Sequence, residues 1–173
     1  MDIKEFFNHS VGKWLSQRTY YHLAHQDMGD GKAEITIANL APDAADVKAL
    51  CEAVGMDASS EVSSVKVSWD NSSDYGKDKQ MGSAVLVAIP NAENAMTGKI
   101  AQKVNSPQAP VMTGHFSIDE SGGITLITES DTVYTEERIW FANDNLRLRT
   151  SLIKSGDRFS RAAFYSEIRR MSS

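Results

Sequence analysis

Thr135-Glu136-Glu137-Arg138-Ile139-Trp140-Phe141-Ala142-Asn143-Asp144-Asn145-Leu146-Arg147-Leu148-Arg149-Thr150-Ser151-Leu152 reads as two strands joined by a tight turn. Strand side chains alternate in direction, so Arg147, Arg149 and Ser151 share one face while Leu146, Leu148 and Leu152 share the other. Asn and Asp suit hairpin loops. A turn centred on Asn143-Asp144 sets Trp140 opposite Arg147, Arg138 opposite Arg149 and Glu136 opposite Ser151. One face then carries an indole, three guanidinium groups, a carboxylate and a hydroxyl. Such a set can grip a flat, anionic, conjugated ligand, because guanidinium groups bind carboxylates bidentately and stack on π-systems. The solvated face of a half-buried sheet has the same alternation, and the hairpin by itself leaves open which face points inward.

Short strands punctuated by turns continue along the rest of the chain. The pattern predicts strands near residues 15–25, 33–40, 62–70, 82–89, 96–104, 111–118, 124–129, 132–141, 146–154 and 158–168. Turn signals between them are Gly29-Asp30-Gly31, Asp70-Asn71-Ser72-Ser73, Ser121-Gly122-Gly123, Asn143-Asp144-Asn145 and Gly156-Asp157. Two helices are expected. One covers residues 3–11, with Ile3, Phe6, Phe7 and Ser10 at helical spacing; the other opens after Pro42 and Asp43, runs through Val47, Leu50, Cys51 and Val54, and stops at Gly55. Roughly ten strands with short connections predict a mainly β chain, an up-and-down antiparallel barrel able to enclose a ligand. A two-sheet sandwich is the alternative. The length of 173 residues suits a single domain spanning residues 1–173.

Composition narrows the function classes. A hydrophobic content of 41% with 24% charged residues is that of a soluble globular protein, and a net charge of -5 argues against a nucleic-acid binder. No apolar run approaches the roughly twenty residues that span a bilayer, and Met1-Asp2-Ile3-Lys4-Glu5 lacks the layout of a secretory signal. A cytoplasmic protein is the expectation. The one cysteine, Cys51, excludes an internal disulfide; beside Leu50 on an apolar helical stripe it reads as a packing residue rather than a nucleophile.

Phosphate-cradling glycine loops, nucleophile elbows and zinc-type His/Cys spacings are absent from the sequence. His9, His22, His25 and His115 are scattered, and no metal site is expected. What remains is aromatic and charged residues on alternating strand positions. Arg18, Tyr20 and His22 share one face, as do Val65, Val67 and Trp69. Trp69 and Tyr75, flanking a turn, suit either a core edge or the mouth of a ligand cavity.

Four stretches together carry a resemblance. Phe6-Phe7-Asn8-His9-Ser10-Val11-Gly12-Lys13-Trp14-Leu15-Ser16-Gln17-Arg18-Thr19, Val67-Ser68-Trp69-Asp70, Gly82-Ser83-Ala84-Val85-Leu86-Val87, and Tyr134 through Ser151 with the ending Phe164-Tyr165-Ser166-Glu167-Ile168-Arg169 are similar to the S-type phycobiliprotein lyases, the CpcS/CpeS family. The likeness runs through the whole chain in order. It implies a lipocalin-like or fatty-acid-binding-protein-like barrel that binds a linear tetrapyrrole (bilin) and attaches it by a thioether to a cysteine of a phycobiliprotein subunit. It also implies that the Arg147/Arg149 face looks into the cavity. Arg18, Arg147 and Arg149 would then handle the two propionates, with Ser151 on the same face. Glu136 and Glu167 would approach the pyrrole nitrogens as catalytic groups, and Trp69 and Tyr75 would lie against the ligand. No permanent cofactor is implied; phycoerythrobilin or phycocyanobilin would be the bound substrate, with a lean to the former. The acceptor would be an apo-phycoerythrin or related subunit, in a cyanobacterial-type cytosol or a plastid stroma. Hand-off from a bilin reductase and a homodimer are compatible with the same likeness. A non-catalytic bilin carrier, or a carrier of lipid carboxylates, would use the same barrel.

Overall fold

The computed structural model describes residues 1–58, 61–156 and 158–171. Ten antiparallel strands close on themselves in the order β1-β10-β9-β8-β7-β6-β5-β4-β3-β2. In chain order they are β1 (Gly12–His22), β2 (Asp27–Leu40), β3 (Ser63–Asp70), β4 (Met81–Pro90), β5 (Thr97–Val104), β6 (Val111–Ile118), β7 (Ile124–Glu129), β8 (Val133–Asn143), β9 (Leu146–Ser155) and β10 (Arg158–Arg169). Two helices, α1 (Ile3–Ser10) and α2 (Ala45–Val54), complete the fold. The barrel is therefore the architecture, and the sandwich alternative falls, because β1 pairs with both β2 and β10 and leaves no sheet edge.

Helix α1 forms because Asp2 caps it and its apolar residues fall on one stripe. Asp2 Oδ1 accepts from the Glu5 amide at 2.8 Å while the Glu5 carboxylate accepts from the Asp2 amide at 2.9 Å, a reciprocal capping box. Ile3, Phe6, Phe7 and Ser10 are buried and pack with Trp14, Ile35, Ile37 and Phe116 to plug one end of the barrel. The indole of Trp14 donates to the Ser10 carbonyl at 2.9 Å, tying β1 to the plug. This end is the floor. Helix α2 instead lies against β4 and β5 with its own small core of Val47, Leu50, Cys51, Val62, Val87 and Ala101. It ends at Gly55, whose φ of 70° is the left-handed cap that glycine adopts without penalty. Among the described residues no helix is long and apolar enough to cross a membrane.

Two expected turns lie elsewhere. Gly29-Asp30-Gly31 belongs to β2, and the β1–β2 connection is formed by residues 23–26, with Gln26 at a φ of 51°. The glycines serve close approach instead: Gly29 pairs with Tyr20 and Gly31 with Arg18. A Cβ on Gly29 would stand 2.3 Å from the Tyr20 ring, and one on Gly31 2.9 Å from Arg18 Nε. The second correction is at the β8–β9 hairpin. Asn143 already pairs with Leu146, so the loop is Asp144-Asn145, and the register slips between Phe141 and Asn143. Asp157, which the sequence assigns to the β9–β10 turn, lies outside the described residues.

Candidate functional site

That slip decides what faces the cavity. Phe141 stands opposite Arg147, Ile139 opposite Arg149 and Glu137 opposite Ser151, so the expected partners Trp140, Arg138 and Glu136 are all one position out. A one-residue shift in a strand reverses every side chain. Arg138 pairs outside with Asp119 at 2.8 Å, and Trp140 lies beside it. Glu136 is likewise on the outer face, where its carboxylate accepts from the Tyr134 hydroxyl at 3.4 Å. Of these two neighbouring acids, Glu137 is the one whose carboxylate reaches the cavity.

The cavity has a volume of about 510 Å³, within the usual size for a ligand site, and is open at the end away from α1. Phe6, Phe7 and Ser10 form its floor. One wall is apolar, built from Val65, Val67 and Trp69 of β3 with Ala84 and Leu86 of β4. The facing wall is charged, with Arg18 and Tyr20 of β1, Arg147 and Arg149 of β9, Glu137 of β8 and Tyr165 of β10. At the mouth, the β3–β4 connection reaches across to β2. The Lys32 amide donates to Asp74 at 3.0 Å, and Lys77 meets Asp30 at 3.6 Å.

Trp69 is held flat by the same device as Tyr20 and Arg18. Its cross-strand partner is Gly82, where a Cβ would come within 2.5 Å of the indole. Glycine at that position lets the ring lie back on β4, leaving the space in front of it free for a ligand.

Behind the charged wall sits Glu167, fully buried at 0% exposure. Its Oε1 accepts from Arg147 Nε at 3.0 Å and lies 2.8 Å from Arg147 Nη2; its Oε2 lies 3.6 Å from Arg149 Nη2. Burial raises the Glu167 carboxyl, but Arg149, Arg147 and the Ser16 hydroxyl outweigh burial and hold it below the usual glutamate range. Burial lowers Arg147, with Glu167 pulling the other way, whereas for Arg149 the attraction of Glu167 and Glu137 exceeds the burial cost and raises it. The group is thus an ionised cluster. Arg149 also reaches Glu137 Oε1 at 3.4 Å and stacks 3.8 Å from the centre of the Tyr165 ring, while Arg147 lies 5.2 Å from that of Trp14.

Of the residues singled out in the sequence, Arg18, Trp69, Arg147 and Arg149 converge on the cavity. Glu167 and Ser151 point inward from their strands but do not line it; Glu167 is shielded by the arginines it binds. Tyr75 is 92% exposed on the β3–β4 connection and points away, whereas Asp74, Lys77 and Asp78 face the opening. Cys51 is buried under α2 outside the barrel, and among the described residues no metal-ligating cluster exists. Sequence reasoning missed Glu137 and Tyr165. Tyr165 was legible in principle, being two residues from Glu167 and so on its face.

Comparison with known proteins gives a consistent picture. The family model for CpeS-like proteins matches residues 2–170. A chromophore lyase CpcS/CpeS of Thermosynechococcus vestitus is 44% identical over 169 residues, covering 98% of this chain and 93% of the relative. A phycocyanobilin lyase subunit CpcS of Picosynechococcus is 35% identical over 170 residues, covering 97% of this chain and 86% of the relative. Among solved structures, the S-type phycobiliprotein lyase CPES of Guillardia theta superposes with a TM-score of 0.83 at 29% identity, covering 100% of this chain and 95% of that one.

Proposed function

The chain belongs to the CpeS-like family of chromophore lyases, and from that premise we propose that it binds phycoerythrobilin in the barrel and delivers it to a cysteine of a phycobiliprotein subunit. The observation that carries the reading is the division of the cavity into an apolar wall around Trp69 and an ionic wall around Arg149 and Glu137. A bilin is a flat conjugated chain with two carboxylates on one side. Trp69 covers the π-face, and guanidinium groups take the carboxylates.

In this reading Glu137 accepts from the pyrrole nitrogens, because it is the acid that both reaches the cavity and stands beside Arg149. A carboxylate there stabilises the protonated, more electrophilic chromophore. Glu167 acts behind it, keeping Arg147 and Arg149 ionised and fixed in place. Thiol addition to a carbon–carbon double bond of the bilin forms one C–S bond, and the thiol proton ends on the chromophore. The thiol belongs to the acceptor. The lyase supplies one bound conformer, shelter from water and presentation at the open mouth.

The test mixes bilin-loaded protein with apo-phycobiliprotein and looks for pigment that stays on the acceptor in acid urea. Phycoerythrobilin and phycocyanobilin are offered in parallel. Preferential phycoerythrobilin adducts are expected; pigment bound but never transferred would make the protein a carrier, and equal transfer of both bilins would remove the assigned preference.

A further inference from the structure

The ions inside the barrel do not all cancel. Arg147 and Arg149 are matched by Glu167 and Glu137. Two further guanidinium groups stand beside them: Arg18 on β1, level with Arg149 because both pair with Tyr165, and Arg161 on β10, four residues farther from the α1 end. Arg18 lies 5.3 Å and Arg161 4.6 Å from the centre of one ring, that of Tyr20. Arg161 occupies the inward register of β10, two residues from Ala163, which pairs with Tyr20. Neither arginine has a carboxylate at ion-pair distance among the described residues, and Arg161 Nε is buried with no acceptor.

A ring contact steadies a guanidinium without using the N–H groups at its edge. A buried N–H with nothing to donate to carries a desolvation cost that an arriving anion removes. Tyr20 is itself immobilised against Gly29, so the two cations are brought to a fixed place beside the cavity that Arg18 and Tyr20 line. The matched pair would have to give up an internal carboxylate to take a new one; this pair would not.

We propose that Arg161 and Arg18 form a carboxylate clamp around Tyr20, and that it takes a propionate of the bound bilin. The inference rests on the bilin reading above and extends it: Arg161 becomes a ligand-binding residue, and the chromophore is oriented with a propionate edge toward β1 and β10.

The decisive measurement titrates the full chain with phycoerythrobilin and with its dimethyl ester, which keeps the chromophore and removes both charges. The native protein is expected to favour the free acid. Arg161→Gln is expected to lower free-acid affinity about tenfold or more, the scale of a lost charge-assisted hydrogen bond, while ester affinity and the melting curve stay unchanged. Arg161→Lys, which keeps the charge but not the planar fork, is expected to fall between. An Arg161→Gln protein with the native acid-to-ester ratio overturns the clamp and leaves the bilin reading standing, and so does an equal loss for both pigments, which would mean Arg161 only shapes the wall. A native protein that binds neither pigment overturns the bilin reading and the clamp together.

Discussion

Glu167 holds Arg147 through one carboxylate oxygen, with Nε at 3.0 Å and Nη2 at 2.8 Å, inside the barrel where the two side chains are 0% and 6% exposed. An ion pair this deep is expensive to assemble and more expensive to halve, because removing one partner strands the other charge away from water. The second arginine, Arg149, depends on the same carboxylate through Oε2. One acidic side chain therefore holds Arg147 directly and offsets the charge of Arg149, which Glu137 and Tyr165 also contact.

Glu167→Gln is expected to cost about 3–5 kcal/mol of folding stability, the scale for breaking a buried pair, measured by urea unfolding at neutral pH. The pH dependence follows from the sign of the shift. The folded carboxyl lies below its ordinary value, so its stabilisation is complete above the unfolded glutamate pKa of about 4.3 and is lost as pH falls through the folded value. The native protein should lose stability on acidification in that window, and Glu167→Gln should show a flatter acid limb. Parallel acid limbs in the two proteins would rule out Glu167 as the group responsible.

Glu136 and Glu137 offer a test of register as well as chemistry. Glu137→Gln removes the cavity carboxylate beside Arg149 and is expected to blue-shift the bound pigment and slow its transfer. Glu136→Gln, on the outer face against Tyr134, should leave spectrum and rate as they were. The visible spectrum and a timed transfer assay distinguish them. A spectral change confined to Glu136→Gln would reverse the assignment.

The strands were legible because turn residues bound them and some, such as β1 and β7, alternate between more and less buried positions, and the two helices because a cap, an apolar stripe and a terminal glycine mark their ends. The inward face of β9 could not be chosen from its own pattern, since Arg and Ser facing a ligand look like Arg and Ser facing water. The error at Glu136 has a physical source. The slip after Phe141 involves Ala142, and nothing in Phe141-Ala142-Asn143-Asp144 marks a bulge as a glycine would. Gly29 and Gly31 misled in the opposite direction, since a glycine under an aromatic ring and a glycine in a turn are the same letter. The pairing of Glu167 with Arg147 and Arg149 joins residues 20 and 18 positions apart across β9 and β10, which only the three-dimensional ladder reveals.

Gly82 should behave as a residue that sets the shape of the cavity. A methyl group there would meet the Trp69 ring at 2.5 Å, so Gly82→Ala must push the indole forward into the ligand space. Overpacking of this kind costs about 1–3 kcal/mol, and bilin affinity should fall. Combining Gly82→Ala with Trp69→Val removes the clash and should restore the melting temperature without restoring the apolar wall. Calorimetry and a bilin titration read the two effects separately; unchanged affinity in Gly82→Ala would mean that the indole has room to yield elsewhere.

Cys51 provides the control on where the thiol chemistry occurs. Its side chain is 1% exposed in the small core between α2 and strands β4 and β5, on the outside of the barrel wall. Burial pushes its pKa up, with a lesser contribution from Asp57, so little thiolate is present near neutral pH. Alkylating reagents should therefore modify it slowly in the native protein and rapidly in urea, followed by mass spectrometry. Cys51→Ser places a hydroxyl among Val47, Leu50 and Val87 and is expected to cost about 1–2 kcal/mol, with bilin binding and transfer at native levels. The stability loss and the retained transfer are separate readouts. A folded, bilin-binding Cys51→Ser protein that no longer transfers pigment would require a thioether on this chain before the acceptor receives it, and the acceptor's thiol would then no longer be the first nucleophile.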